Sequence, residues 1–147
     1  MNLNDNIGIE IRKLHLIISN YAKKRLEPFN LATEQSLILL MLWGQDGISP
    51  NKFVSQLNKD KASIARMIAS LEGKGYIKKV DDPTDKRTFK VHLTDEGKQL
   101  ESLVVPALQR THKNVTAGIT ENELIELRRI FAKMTSNILE ESYFKNS

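Results

Sequence analysis

The sequence predicts a mainly α-helical fold that carries one small β-hairpin. Between Ser49 and Thr94, two short helical segments are joined by a turn, and two runs of strand-like residues follow them. The second helix has an apolar side formed by Ile64, Ile68 and Leu71, and a polar side opposite to it. Two helices joined in this way and followed by a hairpin are the pattern of a winged helix-turn-helix.

The polar side of that second helix carries groups that suit DNA recognition. Four residues follow at i, i+4, i+7 and i+11, which places them on one stripe of a helix: Lys59, Ser63, Arg66 and Ser70. A helix held by its apolar side can present such groups to the major groove of DNA. Ser63 and Ser70 could also simply be tolerated on a helix surface.

The first two helices follow from apolar periodicity and its interruptions. We expect the first helix over about residues 7–29, ended by Pro28, with apolar residues on more than one side. A helix of this kind usually has two neighbours, one of which can belong to another subunit. Thr33 is the predicted N-cap of a second helix, whose apolar run over residues 37–43 we expect to be fully buried.

The helix-turn-helix and the hairpin are delimited by turn and capping residues. Ser49 and Pro50 begin the third helix, Asn58 marks the turn, and Asp60 caps a fourth helix that runs to about Gly73. We predict strands from Tyr76 to Asp81 and from Thr88 to Leu93, with turn residues between them. The last two helices begin and end at capping, bending and stop residues: Thr94, Pro106, Gly118, and the capping box of Thr120 and Glu123.

Composition narrows the possible functions. The 147 residues suffice for one domain, and the absence of cysteine excludes disulfides, zinc fingers and thiol redox switches. The net charge is +4, and residues 49–94 carry ten lysines and arginines against five acids. Positive charge is therefore concentrated on the predicted DNA-binding segment, although an ordinary solvated basic face remains an alternative.

Several other classes of protein are disfavoured. There is no secretory signal and no apolar run of membrane-spanning length, so we expect a cytoplasmic protein. Motifs of nucleophilic, phosphate-binding or zinc-dependent catalysis are absent, which predicts that the chain is not an enzyme and has no cofactor. The histidines are isolated from one another and predict no metal site.

Three sequence runs resemble the MarR family of winged-helix transcription regulators. They are L-E-G-K-G-Y-I over residues 71–77, D-P-T-D-K-R over residues 82–87, and L-T-D-E-G over residues 93–97. The resemblance implies one MarR-type domain over residues 1–147. In that domain, residues from about 33 to 94 form the DNA-binding lobe, and residues from about 7 to 29 and from about 95 to 144 form dimerisation helices. It also implies a homodimer that represses transcription from a pseudo-palindromic operator and is released by a small anionic or phenolic effector, an oxidant or a metal.

The resemblance also assigns roles to individual residues. Arg66 matches a recognition-helix arginine, Ala62 and Ser63 match the groove-facing first turn, and Arg87 matches the wing arginine of the minor groove. Asp85 matches a wing acid, which we expect to orient a neighbouring cation. The predicted DNA-binding residues are Lys59, Lys61, Ala62, Ser63, Arg66, Ser70, Lys86, Arg87 and Lys90. The candidate residues of an effector pocket are His15, Ile18, Met41 and Trp43.

Two functions from other classes compete with a DNA-binding regulator. Winged helices also serve as protein-interaction adaptors without a DNA target, because a fold alone does not fix a function. A small-molecule carrier that uses the same pocket is the third hypothesis. The basic stripe and Arg87 favour DNA binding. Neither the operator, nor the regulated genes, nor the identity of an effector follows from the sequence.

Overall fold

The computed structural model describes residues 2–145, which contain six α-helices and two β-strands. These elements form two compact units, one that extends to His112 and one that begins at Lys113. In chain order the elements are α1 (Ile7–Leu26), α2 (Thr33–Gly44), α3 (Pro50–Leu57), α4 (Lys61–Gly73), β1 (Ile77–Asp81), β2 (Phe89–Leu93), α5 (Asp95–Val115) and α6 (Glu121–Lys145). The predicted mainly helical fold with a small β-wing is confirmed.

Helix α1 ends three residues before the predicted position. The chain tightens into a 3-10 turn over Glu27–Phe29, and Asn30 then adopts a left-handed conformation with φ of 54°. Pro28 has no N–H to donate to the preceding turn, which explains why the regular helix stops at Leu26.

The start and the burial of α2 differ from the prediction. Ala32, and not Thr33, is the N-cap residue, and its N–H donates to the side-chain oxygen of Gln35. The Thr33 hydroxyl instead donates to the carbonyl of Ser19 at 3.2 Å and so ties α2 to α1. The expectation of a fully buried α2 was wrong, because Leu37 and Leu40 are exposed on one side of the helix.

The helix-turn-helix forms as the capping residues predict. Ser49 is the N-cap of α3, with Pro50 at its first position, but the predicted capping bond of the Ser49 hydroxyl does not form. Asn58 ends the helix in a left-handed conformation with φ of 51°. The side chain of Asp60 then caps α4 by accepting from the N–H of Ser63 at 2.7 Å. Asparagine adopts positive φ more readily than most other residues, so Asn58 suits the turn that connects the two helices.

The wing is an antiparallel pair in which Ile77 faces Leu93 and Asp81 faces Phe89. Each strand begins one residue later than predicted. Ile48, in the loop before α3, adds a third partner that the sequence analysis did not predict. Its N–H and carbonyl bond to Val91 at 3.0 and 2.8 Å.

Helix α5 packs against the base of the wing. Thr94 caps it as predicted, since its hydroxyl accepts from the N–H of Gly97 at 3.1 Å. A Cβ atom placed on Gly97 would lie 2.1 Å from the carbonyl oxygen of Tyr76. The glycine of the L-T-D-E-G run is therefore required by the close approach of α5 to Tyr76, the residue before β1.

One hydrophobic core connects α1 to α5 within the first unit. Its fully buried side chains come from every helix of that unit and from both strands: Leu26, Ile38, Leu39, Leu42, Phe53, Ile64, Ile68, Leu71, Ile77, Val91 and Val104. The apolar side of α4 is thus buried as predicted. This packing fixes which side of α4 faces outward.

The second unit is dominated by α6. Thr120 and Glu123 form the predicted capping box, in which each side chain accepts from the backbone N–H of the other, at 2.9 and 3.1 Å. This backbone bond lowers the pKa of Glu123. Across residues 2–145, no helix combines the length and the apolar character needed to cross a membrane.

Candidate nucleic-acid interface

The first turn of α4 is held in place by Asp60. One carboxylate oxygen accepts from the N–H of Ser63 and the other from its hydroxyl, at 2.7 and 3.1 Å. These bonds, the backbone one foremost, lower the pKa of Asp60. The charged cap also stabilises the positive end of the helix dipole, so the exposed Lys61 and Ala62 sit on a fixed first turn.

Arg66 is exposed on the side of α4 opposite the core. Its guanidinium donates to the Ser63 hydroxyl at 3.1 Å. Ser63 thus connects Asp60 to Arg66. Together, Asp60 and Ser63 contribute to the orientation of the Arg66 side chain. A guanidinium has five N–H donors, so most of its hydrogen-bonding capacity remains for another acceptor.

Lys59 lies in the turn before α4 and not on the helix. Its ammonium group forms an ion pair with the carboxylate of Glu34 in the first turn of α2. Of the four residues of the predicted stripe, only Ser63, Arg66 and Ser70 therefore lie on α4. The sequence could not reveal this pairing, because Glu34 is 25 residues away along the chain.

Ser70, the last member of the stripe, is half-buried and already engaged. Its hydroxyl accepts from the side-chain amide of Gln35 at 2.8 Å, and the oxygen of that amide accepts from Lys74 at 2.8 Å. Lys74 also donates to the carbonyl of Asn30 at 2.6 Å. These bonds join the end of α4 to the start of α2, which is the role the structure gives to Ser70.

The wing loop is organised by two aspartates. The Asp85 carboxylate accepts from the backbone N–H of Arg87 at 3.1 Å and from its side-chain Nε at 3.3 Å. Asp82 accepts from the hydroxyl and the N–H of Thr84, at 2.7 and 2.9 Å, and these bonds lower the pKa of Asp82. The Arg87 side chain is nevertheless 90% exposed, so Asp85 orients it without covering it.

The other predicted cations of the wing are solvent-exposed. Lys86 lies in the loop and Lys90 lies on β2, where its charge contributes to the lowered pKa of Asp82. Phe89, the neighbour of Lys90, is covered by Lys79, whose ammonium group lies 5.1 Å from the ring centroid. The wing thus presents several positive charges around a small apolar centre.

Asp46 attaches the wing to the loop before α3, a contact that the sequence analysis missed. One carboxylate oxygen accepts from the N–H of Leu93 at 2.8 Å, and the other lies 3.7 Å from Nδ1 of His92. Because Asp46 is in an unremarkable loop 47 residues away, only the fold brings it to β2. It fixes the base of the wing relative to the helix-turn-helix.

The four candidate residues of the effector pocket have different surroundings. His15 is exposed and Ile18 is half-buried on α1, whereas Met41 and Trp43 pack against the core from α2. The indole N–H of Trp43 donates to the carbonyl of Gly97 at 2.9 Å. Trp43 therefore has a structural role at the junction of α2 and α5. Among the described residues, no cluster of histidines and acids could hold a metal ion.

The fold and this exposed basic surface define a winged helix-turn-helix protein. Comparison with known proteins identifies a matching family model and several similar proteins. The family model described as MarR family matches residues 31–89. The chain is 27% identical over 127 residues to the HTH-type transcriptional regulator BilQ of Clostridioides difficile (strain CD3), covering 82% of this chain and 86% of that protein.

Solved structures agree with this assignment. A MarR family transcriptional regulator from Listeria monocytogenes, complexed with a 26mer DNA, superposes with a TM-score of 0.83 at 25% identity and covers 92% of this chain and 91% of that one. A MarR transcriptional regulator from Methanosarcina mazei Go1 gives 0.78 at 28% identity, covering 91% and 96%. Over residues 31–89 the chain is therefore similar to the MarR family, and the named relatives are transcriptional regulators.

Proposed function

We propose that this protein is a cytoplasmic, homodimeric repressor of transcription that binds DNA sequence-specifically. The observation that carries the proposal is the outward placement of two arginines, Arg66 on the exposed side of α4 and Arg87 on the wing. An arginine on a helix suits base edges in the major groove, and an arginine on a wing suits the narrow minor groove. The DNA in the Listeria monocytogenes complex supports the same type of partner.

A second copy of this chain is the proposed partner in the dimer. Large apolar side chains are exposed along α1 and, separately, along α6: Ile7, Ile11, Leu14, Ile17, Ile125, Phe131, Ile138 and Leu139. Apolar surface of this extent is typical of a protein interface. A symmetric dimer would present two α4 helices to successive major grooves, about 34 Å apart, and would therefore read a pseudo-palindromic operator.

We further propose that a small molecule changes the affinity for the operator. A ligand can do so only by binding one arrangement of the two α4 helices better than another. A coupling of about 1–3 kcal/mol would change operator affinity about 5- to 150-fold.

Titration onto the protein's own upstream intergenic DNA tests the DNA-binding function. We expect tighter binding to that duplex than to a scrambled duplex, and a steep dependence on salt. Arg66→Ala should cost about 1–3 kcal/mol and relax the sequence preference if the arginine contacts a base. Arg87→Ala should weaken binding while the dimer stays intact, and the exposed Lys98→Ala on α5 is the control.

A protein-interaction adaptor would give a different result. It would bind the intergenic and the scrambled duplex equally weakly, and neither arginine substitution would change the preference. A uniform loss of affinity across all duplexes in Arg66→Ala would instead assign that residue to phosphate contacts. Loss of the dimer in Arg87→Ala would contradict the placement of this residue in the DNA interface.

A further inference from the structure

A buried hydrogen-bond network joins the end of α4 to the start of α2. Its centre is the side-chain amide of Gln35, which is 9% exposed in the first turn of α2. The amide oxygen accepts from the ammonium group of Lys74 at 2.8 Å and from the N–H of Ala32 at 3.2 Å. The amide nitrogen donates to the hydroxyl of Ser70 at 2.8 Å. Because two donors meet the oxygen, the amide has one fixed orientation.

The residues that follow α4 hold the corner between α1 and α2. Lys74 also donates to the carbonyl of Asn30 at 2.6 Å, and the hydroxyl of Tyr76 donates to the carbonyl of Phe29 at 3.1 Å. Lys74 and Tyr76 belong to the L-E-G-K-G-Y-I run, and neither is among the predicted DNA-binding residues. The two carbonyls lie at the end of the 3-10 turn that follows α1 and directly after it. The end of α4 is therefore bonded to the segment that leaves α1.

Directional bonds at this position control the tilt of α4. Apolar packing holds the buried side of α4 against the core but is non-directional, whereas hydrogen bonds require defined distances and angles. Helix α4 has 13 residues and is therefore about 20 Å long. A tilt of about 5° about its Asp60 end would move the other end by about 1.7 Å, or about half the rise of one base pair in B-DNA. In a symmetric dimer both protomers would shift, so the total displacement would approach one base pair.

We propose that Gln35 and Lys74 are positioning residues for DNA recognition. They hold α4 at one tilt relative to α1, whose exposed apolar side belongs to the proposed dimer face, and so they determine the half-site spacing that the dimer accepts. This inference rests on the proposed homodimeric DNA-binding function. Both residues act through α4 and not by touching DNA, so their loss should change the preference for spacing and leave the base preference of Arg66 unchanged.

Binding of the full-length protein to duplexes of different half-site spacing tests this role. Selection of bound sequences from random duplexes by the wild type first identifies the half-sites and their spacing. Fluorescence anisotropy then gives the ratio of the affinity at that spacing to the affinity at spacings one base pair shorter and longer. Gln35→Met removes the central amide at nearly constant side-chain length and should lower this ratio about 2- to 10-fold, the range expected for one hydrogen bond. Lys74→Met removes the bonds to Gln35 and Asn30 and should lower the ratio similarly.

Two variants are controls for this measurement. Gln35→Glu keeps acceptors for Lys74 and Ala32, and the Ser70 hydroxyl can donate to the new carboxylate, so the wild-type spacing ratio should be retained. Lys98→Met removes the same charge as Lys74→Met from an exposed position on α5, and should leave the ratio unchanged even where overall affinity falls. Thermal unfolding verifies that each variant is folded, and Lys74→Met decides the question where Gln35→Met does not fold.

An unchanged spacing ratio in folded Gln35→Met and Lys74→Met would overturn the inference, because a merely stabilising network would lower Tm and the affinity for every duplex alike. Equal affinity of the wild type at all spacings, or loss of the ratio in Gln35→Glu, would overturn it as well. A wild type that selects no sequence would instead overturn the proposed function, and this inference with it. Selection of paired half-sites by the wild type therefore separates the two failures.

Discussion

The ion pair between Lys59 and Glu34 predicts that one positive charge of the proposed DNA-binding surface is not available to DNA in the free protein. Lys59 immediately precedes the cap of α4, so its ammonium group is near the proposed phosphate-binding surface. In the free protein that group is bound to Glu34. We therefore expect Glu34→Gln to increase operator affinity, because the substitution frees Lys59 to contact a phosphate.

The expected size of the effect follows from counterion release. Each phosphate neutralised adds about 0.9 to the slope of log K against log salt concentration. One additional contact per protomer therefore steepens the slope by about 1.8 for a dimer, and raises affinity about eightfold per half-site at 0.1 M salt. The side chains of the pair are 34% and 53% exposed, so the pair itself stabilises the protein by no more than about 1 kcal/mol. Folding should be nearly unaffected.

Fluorescence anisotropy with the upstream duplex measures the operator affinity and its salt slope. The titrations use several salt concentrations of about 50 to 300 mM, a range around physiological ionic strength. The double variant Glu34→Gln/Lys59→Gln has the wild-type net charge and should return the slope to that of the wild type. An unchanged slope in Glu34→Gln would refute the reasoning. So would a gain in affinity that persists in the double variant, because it would come from the lost carboxylate alone.

Two further predictions concern the fold. Gly97→Ala places a Cβ atom against the carbonyl of Tyr76 and should cost about 1–3 kcal/mol, or about 2–12 °C in Tm, whereas Gly73→Ala, with no atom within 4 Å of the added Cβ, should not destabilise. The lowered pKa of Asp60 means that its stabilising contribution is complete above its ordinary pKa of 3.8 and is lost as pH falls through the folded-state pKa. Asp60→Asn keeps an acceptor for Ser63 and should lose less stability on acidification below pH 3.8 than the wild type; equal losses in thermal unfolding would contradict this assignment.

Local sequence rules predicted the elements whose ends are set by neighbouring residues. Asn58, Asp60, Thr94 and the Thr120 capping box act within three or four residues of their positions, so their chemistry is visible in the sequence. The burial of the apolar side of α4 followed in the same way from helical periodicity. Thr33 was placed wrongly because a different local solution, Gln35 bonding back to Ala32, satisfies the start of α2.

Contacts between distant residues could not be predicted in this way. Glu34 meets Lys59, Asp46 meets β2, and Gln35 meets Ser70 only because the core brings their elements together. A single sequence has no periodicity that reports such pairs.

The partners of the positive residues also limit the salt dependence that the interface can show. Lys59 is paired with Glu34, which leaves five predicted DNA-binding cations per protomer that are exposed: Lys61, Arg66, Lys86, Arg87 and Lys90. If all five neutralise phosphates in a dimer, the slope of log K against log salt concentration reaches about −9. Base contacts release fewer counterions, so the measured slope should be shallower than this limit. A slope steeper than −9 would show that Lys59, or cations outside the predicted surface, also contact DNA.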